Sequence, residues 1–288
     1  MCTDLSKERG KKADQIKGGL RMTELTVREV VDALAEWGGA SIGEADRLLA
    51  GEPATAVRGI AVAFTATIGA MQEAADSGAS LLIVHEGAFY SHENDPAAWL
   101  ACAAFYEEKR RRIARSGLAI YRCHDTLHRC HLDLITEGLI RELGWQRCVA
   151  RHLPAASLIE LSEPMTGEQV VKHVKQLLGL DRVRVAGNLK VDCLRIGLLV
   201  GYRGGGKLAI PLFDRYGADL VLYGEGPEWE TPEYVRDLAE MGGRGAIVAL
   251  GHLESEQPGM KLLTERLQAL FPGVPVSFCP VAPALRSL

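Results

Sequence analysis

The sequence predicts an α/β protein made of two similar, duplicated units, each a mostly parallel sheet covered by helices, with a metal site at strand ends between them. Three observations lead there. Short apolar runs alternate with amphipathic stretches, the pattern of parallel strands linked by crossover helices. Two of those runs end alike: Ile120-Tyr121-Arg122-Cys123-His124 leads to His128, and Val248-Ala249-Leu250-Gly251-His252 leads to Glu256. The two pairs superpose without a gap, upstream glycines Gly117 and Gly245 included. The match continues upstream, where Gly78 to Gly87 reads like Gly217 to Gly226 and Arg58 to Ala63 like Leu194 to Leu199.

Taken in order, the first twenty residues are polar and charged, and residues 1–25 read as a loose tail. Thr26 is the expected N-cap of a helix whose apolar face is Val27, Val30, Val31 and Leu34, and Gly38-Gly39 stops it. Ile60 to Phe64, Leu81 to Val84 and Leu118 to Cys123 are expected strands, separated by helices over Ala70 to Asp76 and Asp95 to Ser116. The first unit spans 26–155. The second, 156–288, begins with an extended run at Leu158 to Leu161. It continues with a connecting helix over 166–179, started by Thr166 and ended by Gly179. Its strands are expected at Leu194 to Val200, Leu220 to Tyr223 and Ala246 to Leu250, and its helices near Leu208 to Tyr216, Pro232 to Met241 and Pro258 to Leu270.

At 288 residues and 47% hydrophobic content the chain can bury a sizeable core. A formal charge of -4 gives no basic footprint for nucleic acid. The one basic run, Lys109-Arg110-Arg111-Arg112, sits late in a helix and reads as a solvated face. Seven scattered cysteines form neither a disulfide framework nor a paired zinc motif, which fits a reducing cytoplasm. No apolar stretch is long enough to span a membrane or serve as a signal.

In open α/β sheets chemistry collects at the carboxyl ends of strands. There stand His85-Glu86, His124 with His128, and His252 with Glu256. Packed about a pseudo-twofold axis, these ends supply imidazoles and carboxylates for one or two divalent ions per subunit, of Zn, Fe, Mn or Co. A single His after a strand is commonly structural, but three strand ends converging in a duplicated frame favour a site. His92, His152 and His173 lack such company and are expected to be structural. Cys130 and His131 lie just past His128, but a thiolate ligand there would have no second cysteine beside it. Gly201-Tyr202-Arg203-Gly204-Gly205-Gly206-Lys207 has P-loop spacing, yet Leu208 stands where a hydroxyl should contact Mg, so the preferred reading is a glycine turn that binds an anionic part of a substrate.

The motifs Ile83-Val84-His85-Glu86, His124-Asp125-Thr126-Leu127-His128, Tyr223-Gly224-Glu225 and Gly251-His252-Leu253-Glu254-Ser255-Glu256 resemble the NGG-interacting-factor-three-like dinuclear-metal family, often labelled type 2 GTP cyclohydrolase I. The likeness runs over about residues 26 to 275. It implies metal ligands at His85, Glu86, His128, His252 and Glu256, the last bridging both ions. Glu86 stands where the family has a second His, and His128 where it has Asp, so ligand types are exchanged. The family's opening segment is replaced by Trp37 to Gly43. The resemblance further implies a toroidal homohexamer with its metal sites facing an internal cavity. Under it, the chain is a metal-dependent hydrolase acting on a nucleotide or cyclic amide, with His124 or Glu225 moving the proton. The alternative is a non-catalytic metal-binding or scaffold protein.

Overall fold

The computed structural model describes residues 24–39, 42–92, 100 and 102–285. Most of the expected tail, Ala40 and Ser41 of the replaced opening segment, and the proposed helix start at Asp95 lie outside the described residues. The first half runs α1 (Val27–Trp37), β1 (Arg47–Ala50), β2 (Ile60–Ala63), α2 (Ile68–Asp76), β3 (Leu81–Val84), α3 (Ala104–Ser116), β4 (Ala119–Arg122), α4 (Asp125–Arg129) and α5 (Leu134–Glu142). Two strands follow, β5 (Val149–His152) and β6 (Ser157–Thr166). The second half is α6 (Gly167–Leu178), β7 (Arg184–Gly187), β8 (Asp192–Leu198), α7 (Gly206–Asp214), β9 (Leu220–Tyr223), α8 (Thr231–Glu240), β10 (Ala246–Ala249) and α9 (His252–Leu270), and β11 (Val276–Phe278) closes the chain.

The halves repeat one plan. Each opens on a helix with a capping box, Thr26 with Glu29 and Thr166 with Gln169, in which each side chain satisfies the other's backbone N–H. Helix α6, expected as a connector, is thus the counterpart of α1. Each half then adds three parallel strands, β2-β3-β4 in register Ile60↔Leu81↔Ala119 and β8-β9-β10 in register Ile196↔Leu220↔Ala246. Each carries an antiparallel strand on the outer side, β1 on β4 and β7 on β10. Those flanking strands escape a reading by periodicity because both are short, polar at one end and partly exposed.

The sheets have the orders β1-β4-β3-β2-β11 and β5-β6-β8-β9-β10-β7. Strand β11 therefore joins the first sheet, parallel to β2, while β5 and β6 lie in the second. Side chains alternate between faces along each central strand, as the pleat requires. Leu81 and Ile83, with Leu220 and Leu222, face one core shared by both halves, which also holds Leu34, Leu139 and Leu263. Leu82 and Val84 pack outward beneath the first half's outer helices, and Val221 and Tyr223 do the same in the second. Both faces are covered, which is why these strands read as unbroken apolar runs.

Two helices depart from expectation. The described part of the helix expected from Asp95 begins only at Ala104, with Cys102 in a turn and Ala103 as an extended N-cap. Helix α9 starts at His252, six residues before the expected Pro258, which is carried inside the helix. The basic run also divides. Arg110 and Arg112 are exposed and pair with Glu107 and Glu108, but Lys109 is buried, donates to the Ala88 carbonyl and sits over the Tyr90 ring. Burial pulls its pKa down to about 8. Lys109 is a packing residue, not part of a solvated face. Among the described residues no helix is long and apolar enough to cross a membrane.

Helices α5 and α9 meet across the shared core, and glycine permits the approach. A Cβ on Gly138 would lie 2.4 Å from the Gly259 Cα. Gly138→Ala is expected to force the helices apart and cost about 1–3 kcal/mol, visible as a lowered thermal midpoint. An unchanged midpoint would contradict the close crossing.

Candidate metal centre

The ends of the parallel strands deliver the candidate side chains. The backbone N–H groups of His85 and Glu86 both donate to the Phe64 carbonyl, at 3.0 and 2.9 Å, tying the exit of β3 to the exit of β2. His124 is the N-cap of α4. Its backbone N–H donates to Asp46, whose other oxygen accepts from the Thr126 N–H at 2.9 Å and the Thr126 hydroxyl at 2.6 Å. In the second half Ser255 receives the Gly201 N–H at 2.9 Å and donates to the His252 carbonyl at 2.8 Å, joining the glycine turn to the first turn of α9. Gly201 has φ +57, and a Cβ there would sit 2.1 Å from Glu256 Oε1. The site itself demands this glycine.

Around these anchors His85, Glu86, His124, His128, His252 and Glu256 form one cluster. Glu256, almost fully buried on α9, is its centre: Oε2 lies 3.2 Å from His85 Nε2 and 3.1 Å from His252 Nε2, and Oε1 lies 3.9 Å from His128 Nε2. Glu86 Oε1 lies 3.5 Å from His252 Nε2 and 3.6 Å from His124 Nε2. The His85 and His124 rings stack with centroids 4.5 Å apart, and His128 stands edge-on to both.

Each of the four imidazoles is held from behind through Nδ1. His85 Nδ1 donates to the Cys123 carbonyl at 3.3 Å, and His124, His128 and His252 donate to Asp125, Asp133 and Glu225, each at 2.9 Å. Fixing the proton on Nδ1 leaves every Nε2 as a lone-pair donor turned inward, the arrangement that orients metal-ligating histidines. Buried His85 Nε2 and Glu256 Oε2 face each other yet neither makes a hydrogen bond. Two buried acceptors so placed would both be satisfied by a cation between them, and the donor set fits a divalent ion. Among the described residues, three groups of side chains bring their potential ligand atoms within 4.8 Å of one another: His85, His124 and His128; His85, Glu86 and Glu256; and Glu86, His92 and His124.

Packed this closely, the carboxylates and imidazoles shift one another's pKa values. Burial disfavours the Glu256 carboxylate, but His85 and His252 outweigh it and hold its pKa well below the usual range. Burial likewise opposes Glu86, and His252, His85, His124 and Arg122 bring it to about 2. Burial also opposes charge on His252, yet the carboxylates of Glu256 and Glu86 close to its Nε2 lift it to about 11. His85 is raised by Glu256 against its own burial. His124 goes the other way, to about 4, through burial and the neighbouring His85.

The five residues expected as ligands converge, and His124, expected to move a proton, stands with its Nε2 among them. Glu225 holds His252 from behind. His92, expected to be structural, lies exposed beside the cluster, its ring 4.9 Å from that of His124. His152 bonds Ser157, and His173 stacks on Trp145, as structural histidines do. Cys130 turns its thiol to the Thr126 carbonyl, and burial pushes its pKa up to about 11, so it offers no thiolate. The glycine turn is not an open anion site, because the Glu230 carboxylate already accepts from the Gly206 N–H at 2.7 Å at the start of α7. Sequence reasoning missed Asp46, Asp133, Arg122 and Arg203, which bonds Asp133 at 2.9 Å. Asp133 reads as a simple helix cap, which it also is. A charged Arg122 inside an apolar strand was the one available signal, since a buried cation needs a partner.

Residues 23–284 match the family model of Duf34/NIF3 (NGG1p interacting factor 3). The GTP cyclohydrolase 1 type 2 homolog of Clostridium perfringens is 23% identical over 228 residues, covering 77% of this chain and 82% of that protein. The protein of the same description from Deinococcus radiodurans is 26% identical over 239 residues, covering 77% and 80%. In fold, the chain resembles the Bacillus cereus protein related to NIF3, with a TM-score of 0.74 at 17% identity over 92% of this chain and 100% of that one.

Glu225→Ala is expected to lower metal affinity about 10- to 100-fold, because His252 loses the group that orients it. Chelator competition measures this, with circular dichroism as the folding control. Undiminished affinity would show that Glu225 does not set the His252 ring.

Proposed function

The chain belongs to the Duf34/NIF3 family, and we propose that within it this protein binds divalent metal and acts as a metal-dependent hydrolase on a nucleotide or cyclic amide. One observation carries the metal reading: four imidazoles, each pinned at Nδ1, aim Nε2 at two carboxylates, and a buried nitrogen and oxygen are left without hydrogen bonds. The substrate class draws on the names of the curated relatives.

His85, His128, His252, Glu256 and the Oε1 of Glu86 would hold the ion or ions. A bound divalent ion supplies Lewis acidity and makes a nucleophile available at neutral pH. The chain's own contribution is positioning and proton transfer. His124 is neutral at pH 7, and with Nδ1–H held by Asp125 it receives a proton at Nε2, where it faces Glu86. Glu225 fixes the His252 tautomer. Phe64 stands edge-on to His252 at 5.8 Å and gives the site an apolar wall. The exchange of ligand types at Glu86 and His128 favours a second reading, a metal-binding or scaffold protein without turnover.

Plasma mass spectrometry on protein purified without chelator is expected to find a near-stoichiometric divalent metal, lost in His252→Ala and Glu256→Ala. A metal-free parent that also resists reconstitution would sink the proposal. Hydrolysis of GTP or another cyclic amide by the loaded protein supports the enzyme, while inertness towards all of them supports the second reading.

Metal uptake should also depend on pH. The raised pKa values of His85 and His252 mean that the ion-free site carries protons that an ion must displace. Raising the pH removes that competition, so apparent affinity is expected to climb by about tenfold per pH unit for each proton released, across about pH 6 to 8. Calorimetry in buffers of differing ionisation enthalpy counts the protons. Affinity independent of pH would contradict protonation of the ion-free site.

A further inference from the structure

Arg122 heads the largest fully buried side chains among the described residues, and the metal reading gives it no role. It ends β4, whose other side chains are Ala119, Ile120 and Tyr121. Its Nε donates to the His85 carbonyl at 3.2 Å and one terminal nitrogen to the His92 carbonyl at 2.7 Å. The other terminal nitrogen donates to Glu86 Oε2 at 3.0 Å and lies 3.1 Å from His92 Nδ1. The guanidinium thus grips one oxygen of Glu86 and the backbone of the residue before it. Only Oε1 of Glu86 is turned toward His252 and His124.

We infer that Arg122 and Glu86 work as one unit, a single-oxygen metal donor whose formal charges cancel, electrostatically equivalent to a neutral imidazole. The inference rests on the metal-binding reading above. A free carboxylate can chelate through both oxygens and brings a full negative charge. Here one terminal nitrogen of the guanidinium occupies the second oxygen, and its charge offsets that of the carboxylate. Arg122 is a positioning residue: it touches the ligand and sets which oxygen and how much charge reach the ion. The geometry also explains why so large a cation is buried here, since a guanidinium in a strand end is tolerated when a carboxylate meets it.

The test is a cycle of metal affinities, measured by chelator competition on reconstituted protein. Glu86→His alone leaves the guanidinium beside the ion with no carboxylate to offset it, and affinity is expected to fall about 10- to 100-fold. Adding Arg122→Met to that variant removes the stranded charge and is expected to restore most of the loss. A purely structural Arg122 would not rescue in this way, because its removal could only compound the damage. A double variant that folds, by circular dichroism, and binds no more tightly than Glu86→His overturns the inference. So does a Glu86→His protein that binds as tightly as the parent. Should that double variant fail to fold, Glu86→His combined with Arg122→Gln decides on the same readout: affinity restored towards the parental value upholds the charge pairing, and affinity no higher than that of Glu86→His overturns it. A parent that takes up no metal overturns the metal reading itself, whereas a parent that binds while the variants are indifferent overturns only the pairing.

Discussion

The buried carboxylate of Glu256 is the constraint around which the rest of the site is arranged. It is contributed by α9 of the second half and is met by His85 and His128 from the first half and by His252 one helical turn before it. An ionised carboxylate at that depth is costly unless it is paired. The pairing is therefore what obliges the two halves to bring their strand ends together. Gly201, which must be glycine because Glu256 occupies the space of its Cβ, and Ser255, which ties that turn to α9, follow from the same requirement.

Duplication explains how one such centre arises. The same order of elements, from a capping-box helix through three parallel strands to a helix bearing a residue of the cluster, is used in both halves, so two strand exits with polar side chains exist before any packing takes place. The halves then diverge where they meet. The first ends its third parallel strand in a short helix and then α5, while the second runs straight into the long α9. That asymmetry lets α9 insert Glu256 between histidines of the opposite half while α5 supports it at the glycine crossing.

Behind the inward-facing atoms lies a ring of acceptors and donors that does no binding itself. Asp125, Asp133, Glu225 and the Cys123 carbonyl set the imidazole tautomers, Asp46 fixes the backbone at His124, and Arg122 governs one oxygen of Glu86. The orientation of the donors lives in this layer. A cluster with the same inward atoms but loosely held rings would not present its lone pairs to a common point.

The duplicated α/β plan, the central strands, the capped helices and the cluster residues were readable from the chain alone. Apolar periodicity, caps and strand-end polar pairs are written in residues close together, and the physics that makes them operates over one or two turns. Tertiary structure decided what depends on distant partners. Glu86 and Arg122 are 36 residues apart, Arg203 and Asp133 are 70 apart, and Asp46 and Thr126 are 80 apart, and nothing local marks them as neighbours. The same holds for β11 joining the first sheet, for His92 lying beside the cluster, and for Glu230 filling a turn that by its glycines alone looks open to an anion. Burial sets the cost of a charge, and only the folded chain fixes which group stands close enough to offset it.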